Sequence, residues 1–314
     1  MTIIQMPHAA PLTIVIPVYN RAQVLTRTLD SVLAQSFRPL RLIIVDNNST
    51  DNSVRVAREW IEANRSAGFS AELLHEHSPG AAAARNRGLQ AVTSEYTMFF
   101  DSDDLMLPGH VSRAMEAFSS AEKPDIAGWD VEYRRPDGSR VIKHFADRDL
   151  QWNNIMHGSM STLRYAARTS LFRQAGGWNP LSRGWDDIEL GARLLRLSPK
   201  IIKLHGAPSV AVFSSAQSIT GTDFSHCAGV WENTLAMMRA TLSPRGLASY
   251  AGCRAAILAG CYRREGACTA ARTLLHDTLA CEHSPLKRLA CRIAYAWTAC
   301  RLRGAARLVR PLFP

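Results

Sequence analysis

Strand and helix patterns alternate along the first hundred residues of the chain. Buried-strand patterns, rich in aliphatic and aromatic residues, cover residues 12–16, 40–45, 71–74 and 96–100. Helical spacing of apolar residues or runs of small residues separates them, over residues 24–34, 53–64 and 80–91. Strands that alternate with helices of this length are typical of a parallel, doubly wound sheet. The pattern therefore predicts an α/β fold with a mostly parallel sheet.

Polar clusters follow three of these predicted strands, at the point where each strand ends. They are residues 17–21, 46–51 and 101–104. The carboxyl ends of parallel strands meet at one edge of the sheet, where the ligands of such sheets bind. We therefore expect the three clusters to lie close together and to form a ligand site.

The third cluster contains three aspartates in four residues: Asp101, Asp103 and Asp104. Carboxylates this close repel one another unless a cation or another partner offsets their charge. Mg²⁺ and Mn²⁺ prefer oxygen ligands, and Mg²⁺ typically uses one or two carboxylates together with substrate phosphates. The cluster is consistent with metal–phosphate chemistry. The alternative is that one aspartate caps the helix after Pro108 while the others are solvated.

Further elements are predicted in the second half of the chain. Residues 125–133 and 140–145 flank Pro136-Asp137-Gly138-Ser139, which is typical of a hairpin turn. Helical patterns cover residues 169–175 and 187–197, and short strand patterns cover residues 201–204 and 209–213.

Composition narrows the class of protein. At 314 residues with 46% hydrophobic content, the chain suits one large globular domain with an appendage. Residues 1–11 lack the features of a signal peptide, and no window approaches the roughly 18 apolar residues of a spanning helix. The seven cysteines all lie at or beyond Cys227 without a Cys-x-x-Cys pair, so we expect reduced thiols that serve as small apolar residues. Reduced thiols imply a cytoplasmic location.

The positive charge of the chain is concentrated in its last quarter. Residues 240–314 hold 12 Lys and Arg and three acids, whereas residues 1–239 hold 25 basic and 24 acidic residues. Within residues 284–314, Arg288 and Arg292 lie beside an apolar stripe formed by Leu286, Leu289, Ile293 and Trp297. Basic amphipathic helices of this kind bind anionic membrane surfaces. The alternatives are a helix packed on the rest of the protein and, less favoured for lack of interleaved aromatic residues, nucleic-acid binding.

Six segments, in this order and spacing, resemble the family-2 glycosyltransferases, which are inverting enzymes with the GT-A fold. The segments are residues 16–21, 43–51, 84–88, 100–104, 177–179 and 185–190. The resemblance covers about residues 12–220. It implies a GT-A catalytic domain over residues 12–225, between an N-terminal tail of residues 1–11 and a helical basic C-terminal region of residues 226–314.

The resemblance implies that the donor is a nucleotide sugar, with UDP as the expected nucleotide. The residues that it assigns to the nucleotide sugar are Pro17, Tyr19, Asn20, Arg21, Asp46, Asn48, Ser49, Arg85, Asp101 and Ser102. In this assignment Tyr19 contacts the base, and Asp46 accepts a hydrogen bond from the uracil N–H. The alternatives are that Tyr19 packs under its own loop, that Asp46 stabilises a turn, and that Arg85 is an ordinary solvent-exposed side chain.

The resemblance also assigns the metal, the base and the acceptor pocket. Asp101 and Asp103 form the Asp-x-Asp motif that holds Mg²⁺ or Mn²⁺ on the diphosphate, with Asp103 as the direct ligand. The pair Asp186 and Asp187 supplies the base that deprotonates the acceptor, and the family pattern selects Asp187, with Asp186 or Glu189 as the next candidates. Helix-dipole stabilisation is the alternative for this pair. Trp178 is assigned to the acceptor pocket, with a core position as the equal alternative.

These features predict a metal-dependent inverting glycosyltransferase of cell-envelope polysaccharide synthesis, associated with the inner face of the cytoplasmic membrane. The acceptor is expected to be a glycan or a lipid-linked sugar. Many relatives have a histidine after the last strands, whereas residues 213–220 have none. We therefore expect Asp103, diphosphate and water to hold the cation. The alternatives are a catalytically silent nucleotide-sugar-binding module recruited by its basic tail, and a nucleotidyltransferase, which would normally carry a Gly-rich phosphate loop.

Overall fold

The structure is a computed structural model and describes residues 10–213 and 223–313. The chain divides into two compact units. The sheet unit comprises residues 10–147, 160–180 and 197–213, and the helical unit comprises residues 148–159, 181–196 and 223–313. The helical unit therefore includes two segments that lie inside the predicted catalytic domain of residues 12–225. The boundaries of that catalytic domain stay a prediction.

The first part of the sheet unit follows the predicted alternation of strands and helices. Its elements are β1 Leu12–Val18, α1 Leu25–Leu33, β2 Leu40–Asp46, α2 Ser53–Ala63, β3 Phe69–His75, α3 Ala81–Ala91 and β4 Tyr96–Phe99. β1 pairs in parallel with both β2 and β4, and β2 pairs in parallel with β3. The predicted α/β fold with a mostly parallel core is confirmed.

Later segments extend this sheet and add a second one. They are β5 Leu105–Met106, α4 His110–Ser119, β6 Ile126–Trp129, β7 Val131–Arg134, β8 Arg140–Lys143, β9 Tyr165–Arg168, α6 Thr169–Gln174, β10 Ile201–Leu204 and β11 Val210–Phe213. Among the described residues, the large sheet has the order β10-β6-β9-β4-β1-β2-β3, and the small sheet has the order β5-β11-β7-β8. The predicted hairpin is the antiparallel pair β7–β8. The strand predicted over residues 125–133 is interrupted at Asp130, because its two halves pair in different sheets.

The central strands consist mostly of apolar residues because both of their faces are covered. Ile14 and Ile16 of β1 belong to the core on one face of the sheet. On the other face, α3 lies so close that a Cβ atom added to Gly88 would be 2.3 Å from Cγ1 of Val15 and 3.3 Å from Cγ2 of Val45. Burial on both faces explains why these strands read as continuous runs rather than as an alternating pattern.

Replacing Gly88 by Ala is expected to lower the free energy of unfolding by about 1–3 kcal/mol, because α3 must move away from β1. Gly229 is a matched control, since a Cβ added there meets no atom within 4 Å. Gly229→Ala should leave stability unchanged or raise it by up to about 1 kcal/mol through helix propensity. Urea unfolding followed by circular dichroism measures both changes, and equal midpoints for the two variants would contradict the close approach at Gly88.

The helical unit contains the predicted C-terminal helices and two helices from earlier in the chain. Its helices are α5 Leu150–His157, α7 Asp186–Arg196, α8 Ala228–Leu242, α9 Ala248–Arg264, α10 Cys268–Ala280, α11 Pro285–Ala299 and α12 Ala305–Val309. α9 is rich in alanine and glycine and packs against α8, α10 and α11. None of the helices that the structure describes combines the length and hydropathy needed to cross a bilayer.

The cysteines only partly serve the role predicted for them. All seven are free thiols. Cys253 and Cys291 are buried in the helical unit, and burial raises the pKa of Cys291 to about 12. Cys227, Cys281 and Cys300 are exposed and so do not act as core residues.

Candidate functional site

The loops that follow β1 and β2 are tied together by hydrogen bonds. The backbone N–H of Asn20 donates to Ser49 Oγ at 3.0 Å, and Asn20 Oδ1 accepts the backbone N–H of Thr50 at 2.8 Å. Asn48 donates from Nδ2 to the carbonyl oxygen of His77 at 2.9 Å. The side chains of Asn20, Asn48 and Ser49 therefore hold loops in place, and their predicted contacts with a nucleotide sugar stay a prediction.

Asp46 ends β2 with a buried carboxylate, and the residue is 5% exposed. Its Oδ2 accepts the backbone N–H of Ser49 at 3.4 Å and lies 3.6 Å from Nδ1 of His75. Its Oδ1 is buried and has no hydrogen-bond partner among the described residues. An unsatisfied buried acceptor is costly. This atom is therefore suited to accept a hydrogen bond from a ligand.

Arg85 is buried in α3, and this excludes the alternative that it is an ordinary exposed arginine. The residue is 7% exposed, and its guanidinium donates to Asp101 Oδ1 at 2.9 Å. Its guanidinium carbon lies 4.4 Å from the ring centroid of Trp178. The ring of Trp178 also meets Phe99 edge-to-face at 5.2 Å between centroids. Arg85 is therefore held between the aromatic face of Trp178 and Asp101, the first aspartate of residues 101–104, which are named here the acidic loop.

Trp178 occupies the core, with only 1% of the residue exposed. Asn86, next to Arg85, holds the backbone of Trp178 through two hydrogen bonds. Asn86 Nδ2 donates to the carbonyl oxygen of Trp178, and Asn86 Oδ1 accepts the backbone N–H of Trp178, both at 2.8 Å. A Cβ atom on Gly177 would lie 2.6 Å from Asn86 Oδ1, so this approach requires a glycine. Trp178 supports Arg85 in this structure, and its predicted contact with an acceptor stays a prediction.

Asp103 and Asp104 carry negative charge that their surroundings do not fully offset. Burial and the charge of Asp101 raise the pKa of Asp103, while Arg21, whose Nε lies 3.4 Å from Asp103 Oδ2, acts in the opposite direction. Burial and Asp101 also raise the pKa of Asp104 well above its ordinary value. Asp104 Oδ1 accepts the backbone N–H of Phe213 at 2.8 Å. Asp104 therefore has a structural role, because it fastens the end of β11 to the acidic loop.

The residues that hold the acidic loop come from α1. Arg27 donates to the backbone carbonyl oxygen of Asp103 at 2.7 Å, and Thr28 Oγ1 donates to that of Ser102 at 3.0 Å. The guanidinium carbon of Arg27 lies 4.2 Å from the ring centroid of Phe213. Arg27 is absent from the sequence prediction because nothing in its local pattern separates it from an ordinary exposed helix arginine.

Tyr19 and Pro17 lie where the first predicted cluster begins. Tyr19 is 57% exposed, which excludes a ring packed under its own loop. Pro17 is paired with Val45 of β2, at a point beyond the last residue of β1 that pairs with β4. Ser102 is 7% exposed. Base and ribose contacts of Tyr19, Pro17 and Ser102 stay predictions.

The donor atoms of the acidic loop fit a divalent cation that a diphosphate and water complete. Asp101 and Asp103 have side chains that are 33% and 32% exposed, so both carboxylates remain accessible to a cation. Burial, and after it the charge of Asp101, raises the pKa of Asp103, and a bound cation would favour the charged form of both carboxylates. The described residues contain no group of three or more His, Cys, Asp or Glu side chains placed to hold a metal. Residues 214–220, where the missing histidine was sought, lie outside the described residues.

The predicted base belongs to the helical unit. Asp186 and Asp187 are half-buried in the first turn of α7, and Asp187 Oδ1 accepts the backbone N–H of Ile188 at 2.8 Å. Glu189 is 2% exposed and forms a two-point ion pair with Arg193, at 2.7 and 2.6 Å. That pairing removes Glu189 from the candidates for the base and leaves the two aspartates.

The residue that precedes the acidic pair has an unusual backbone conformation. Trp185 has a φ of 55°, in the left-handed region that bulky residues rarely adopt. Its ring is held by Trp231, at 4.8 Å between centroids, and by the guanidinium carbon of Arg254, at 4.5 Å from the ring centroid. Thr234 Oγ1 donates to the carbonyl oxygen of Gly184 at 2.7 Å. The helical unit therefore fixes the backbone from which Asp186 and Asp187 start, in a conformation of the kind that clusters at functional sites.

The buried face of α7 is fixed in the same unit. Asn154 of α5 is fully buried and donates from Nδ2 to the carbonyl oxygen of Ile188 at 2.8 Å. A Cβ atom on Gly184 would lie 2.5 Å from Trp231, so the segment before α7 also requires a glycine. Sequence reasoning missed these supports, although the dipeptide Gly184-Trp185 before an acidic pair is a signal that could have pointed to them.

Residues 13–172 match the protein family described as Glycosyl transferase family 2. The uncharacterized glycosyltransferase YibD of Escherichia coli is 36% identical over 97 residues, which cover 31% of this chain and 27% of that protein. The glycosyltransferase GlyG of Streptococcus pneumoniae is 28% identical over 173 residues, which cover 53% of this chain and 51% of that protein. The chain therefore spans only between about a quarter and a half of the length of these relatives.

Solved structures share the fold at low sequence identity. S. aureus TarS, residues 1–349 in complex with UDP-GlcNAc, superposes with a TM-score of 0.68 at 14% identity and covers 96% of this chain and 90% of that one. The mannosyltransferase PcManGT from Pyrobaculum calidifontis, in complex with GDP-Man and Mn²⁺, gives a TM-score of 0.57 at 17% identity, with 97% and 84% covered. The predicted GT-A-like fold, with a helical C-terminal region, is confirmed. The family match, which extends over half of the chain, shows that this protein belongs to glycosyl transferase family 2.

Proposed function

We propose that this glycosyltransferase moves a sugar from a UDP-sugar to a glycan or lipid-linked acceptor, with inversion at the anomeric carbon and with a divalent cation. The observation that carries the proposal is the buried Oδ1 of Asp46, which lacks a partner in the described part of the chain, at the same sheet edge as Asp101 and Asp103. The carboxylate of Asp46 is suited to accept a hydrogen bond from a base, and those of Asp101 and Asp103 are suited to bind a metal ion on a diphosphate.

Uracil is the base that we assign to Asp46. Its ring N–H would donate to Oδ1, which satisfies the buried acceptor, while Ser49 and His75 keep Oδ2 in place. Tyr19, which is exposed beside this edge, offers an aromatic face or edge to the base. The complex of TarS with UDP-GlcNAc supports UDP, and the complex of PcManGT with GDP-Man defines the competing hypothesis.

Mg²⁺ or Mn²⁺ would be held by Asp103 and Asp101 together with the diphosphate. When bound, such a cation offsets the negative charge that builds up on the leaving diphosphate. The protein contributes the positions of the two carboxylates: Arg85 fixes Asp101, and Arg27 fixes the backbone of Asp103. The Mn²⁺ in the PcManGT complex supports this assignment.

Asp187 is the base in the proposed reaction. Its carboxylate would take the proton of the acceptor hydroxyl as that oxygen bonds to the anomeric carbon. The bond between the anomeric carbon and the diphosphate oxygen breaks on the opposite side, so that UDP leaves and the configuration inverts. Asp187 is preferred over Asp186 because the family pattern selects it, and Glu189 is committed to Arg193.

A panel of nucleotide sugars, screened by thermal shift and by nucleotide release with and without Mn²⁺, tests the proposal. We expect UDP-sugars to raise the melting temperature in the presence of Mn²⁺, since a ligand at 100 times its Kd adds about 2.7 kcal/mol of stability. One UDP-sugar should also release UDP. Asp46→Ala should weaken UDP binding by about 10- to 100-fold, the value of a hydrogen bond to a charged group.

The other outcomes of this panel are equally informative. Stabilisation by GDP-sugars alone would reject uracil recognition by Asp46. Tight binding of a nucleotide sugar without release, at any metal concentration and with glycan acceptors added, would indicate a silent binding module in place of an enzyme.

A further inference from the structure

Exposed apolar side chains are concentrated near the end of the helical unit. Eight large hydrophobic side chains are exposed among the residues that the structure describes. Four of them fall within residues 286–308, and they are Leu286, Leu289, Leu302 and Leu308, each between 46% and 52% exposed. Half of the exposed large hydrophobic residues therefore lie in a short stretch of chain.

The packing of α11 explains why its leucines face outward. The buried side chains of this helix are small and are those of Ala290, Cys291, Ala294 and Thr298. Thr298 fills the space over Gly260 of α9, where an added Cβ atom would lie 2.7 Å from Thr298 Cβ. A small-residue face thus seats α11 on α9, and Leu286 and Leu289 are left outside that face. Ile293 and Trp297, the rest of the predicted stripe, are only partly buried.

Exposed arginines alternate with these leucines along residues 286–308. Arg288 and Arg292 are exposed on α11, and Arg301, Arg303 and Arg307 are exposed in the segment that follows. No acidic residue follows Glu282 in the sequence. The combination of half-exposed leucines and unopposed guanidinium groups is complementary to an anionic, partly apolar surface.

We propose that this surface, which comprises Leu286, Leu289, Leu302 and Leu308 with Arg288 and Arg292 and is named here the leucine–arginine surface, binds the anionic face of a lipid bilayer. The leucines would enter the headgroup region, and the arginines would lie at the level of the lipid phosphates. A lipid surface is favoured over a protein partner because residues 284–314 carry charge of one sign only, so they offer no pattern of opposite charges that would fix the register of a partner protein. The proposal does not depend on the sugar donor.

Sedimentation with vesicles tests the proposal on the full chain at 0.1 M salt. We expect binding to vesicles of phosphatidylcholine with 30% phosphatidylglycerol, an anionic lipid, and no binding to phosphatidylcholine alone. Arg288→Gln with Arg292→Gln should weaken binding about 30-fold, since each basic residue contributes about five-fold. Leu286→Gln with Leu289→Gln should weaken it at least about ten-fold.

Matched controls separate the leucine–arginine surface from net charge and general exposure. Arg55→Gln with Arg58→Gln removes two exposed charges from α2, and Ile142→Gln removes an exposed apolar side chain from β8. Both controls should bind vesicles like the unchanged protein. The surface variants and the controls should release UDP from a UDP-sugar in solution at equal rates, so that a failure here is distinct from a failure of the proposed function.

Three results would overturn the proposal. One is the absence of sedimentation with anionic vesicles. The second is an equal loss of binding in the control variants. The third is a concentration-dependent dimer, seen by light scattering, that Leu286→Gln with Leu289→Gln dissociates, because a second copy of the chain would then cover this surface.

Discussion

Asp187→Asn is expected to lower the rate of UDP release from the UDP-sugar substrate by about 10²- to 10⁴-fold, the contribution of a positioned general base. The substitution preserves shape, and the amide oxygen of Asn can still accept the backbone N–H of Ile188. The KM for the donor and the stabilisation by donor with Mn²⁺ should not change, because Asp46, Asp101 and Asp103 belong to the other unit.

Asp186→Asn is the matched control for that experiment. It removes one carboxylate from the same helical turn, so its effect on the helix dipole is the same. We expect it to keep a rate within about ten-fold of the unchanged enzyme, which is well above the loss expected for a missing base. If Asp186→Asn lost activity while Asp187→Asn kept it, the two roles would have to be exchanged.

Asp103→Asn is expected to have two opposite effects. It should reduce the affinity for Mn²⁺ in the presence of UDP by at least about ten-fold, because a neutral amide is a poor ligand for a hard cation. Without metal and ligand, the variant should melt at the same temperature as the unchanged protein or higher at pH 7. The reason is that burial and Asp101 disfavour the charged form of Asp103.

The sign of the second effect follows from linkage. A carboxyl group whose pKa is raised in the folded state favours folding below its unfolded pKa and loses that contribution as the pH rises through its folded pKa. At pH 7 the charged Asp103 therefore opposes folding, and Asn removes that penalty. The raised pKa also means that Asp103 is protonated earlier as the pH is lowered. The affinity for Mn²⁺ should therefore begin to fall at a higher pH than it would if the ligand were an aspartate with an ordinary pKa. Thermal shift measured from pH 4.5 to 8 tests both statements, with exposed Asp147→Asn as the control.

The alternation of strands and helices and the meeting of the three polar clusters were predictable from the sequence, and contacts of Asn20 with Ser49 and of Arg21 with Asp103 join them. Apolar runs bounded by polar residues specify buried parallel strands, and the carboxyl ends of β1, β2 and β4 then share an edge by topology alone. The position of Arg85 was not predictable, because its burial depends on Trp178, whose backbone Asn86 holds from 92 residues away. Side-chain burial of this kind requires tertiary contacts that no local pattern encodes.

The sequence also could not predict which way the apolar stripe of α11 faces. The spacing of Leu286 and Leu289 predicts an apolar face, but the face that packs is decided by the partner helix. Gly260 of α9 admits only small side chains, so Thr298 and Ala294 turn inward. Similarly, the segment before α7 is held in the helical unit by Trp231, which contacts Trp185, and by Thr234, which donates to Gly184. Both residues lie far from that segment in the sequence.

The left-handed conformation of Trp185 has an evolutionary consequence. Because Trp231 of α8 and Arg254 of α9 hold that residue, the acidic pair depends on helices that come after β10 and β11 in the sequence. Recombination that exchanged residues 223–313 between two related proteins would leave Asp186 and Asp187 in place and replace the side chains that hold the backbone before them. Such an exchange is therefore expected to succeed only where the incoming helices supply an equivalent seat for Trp185.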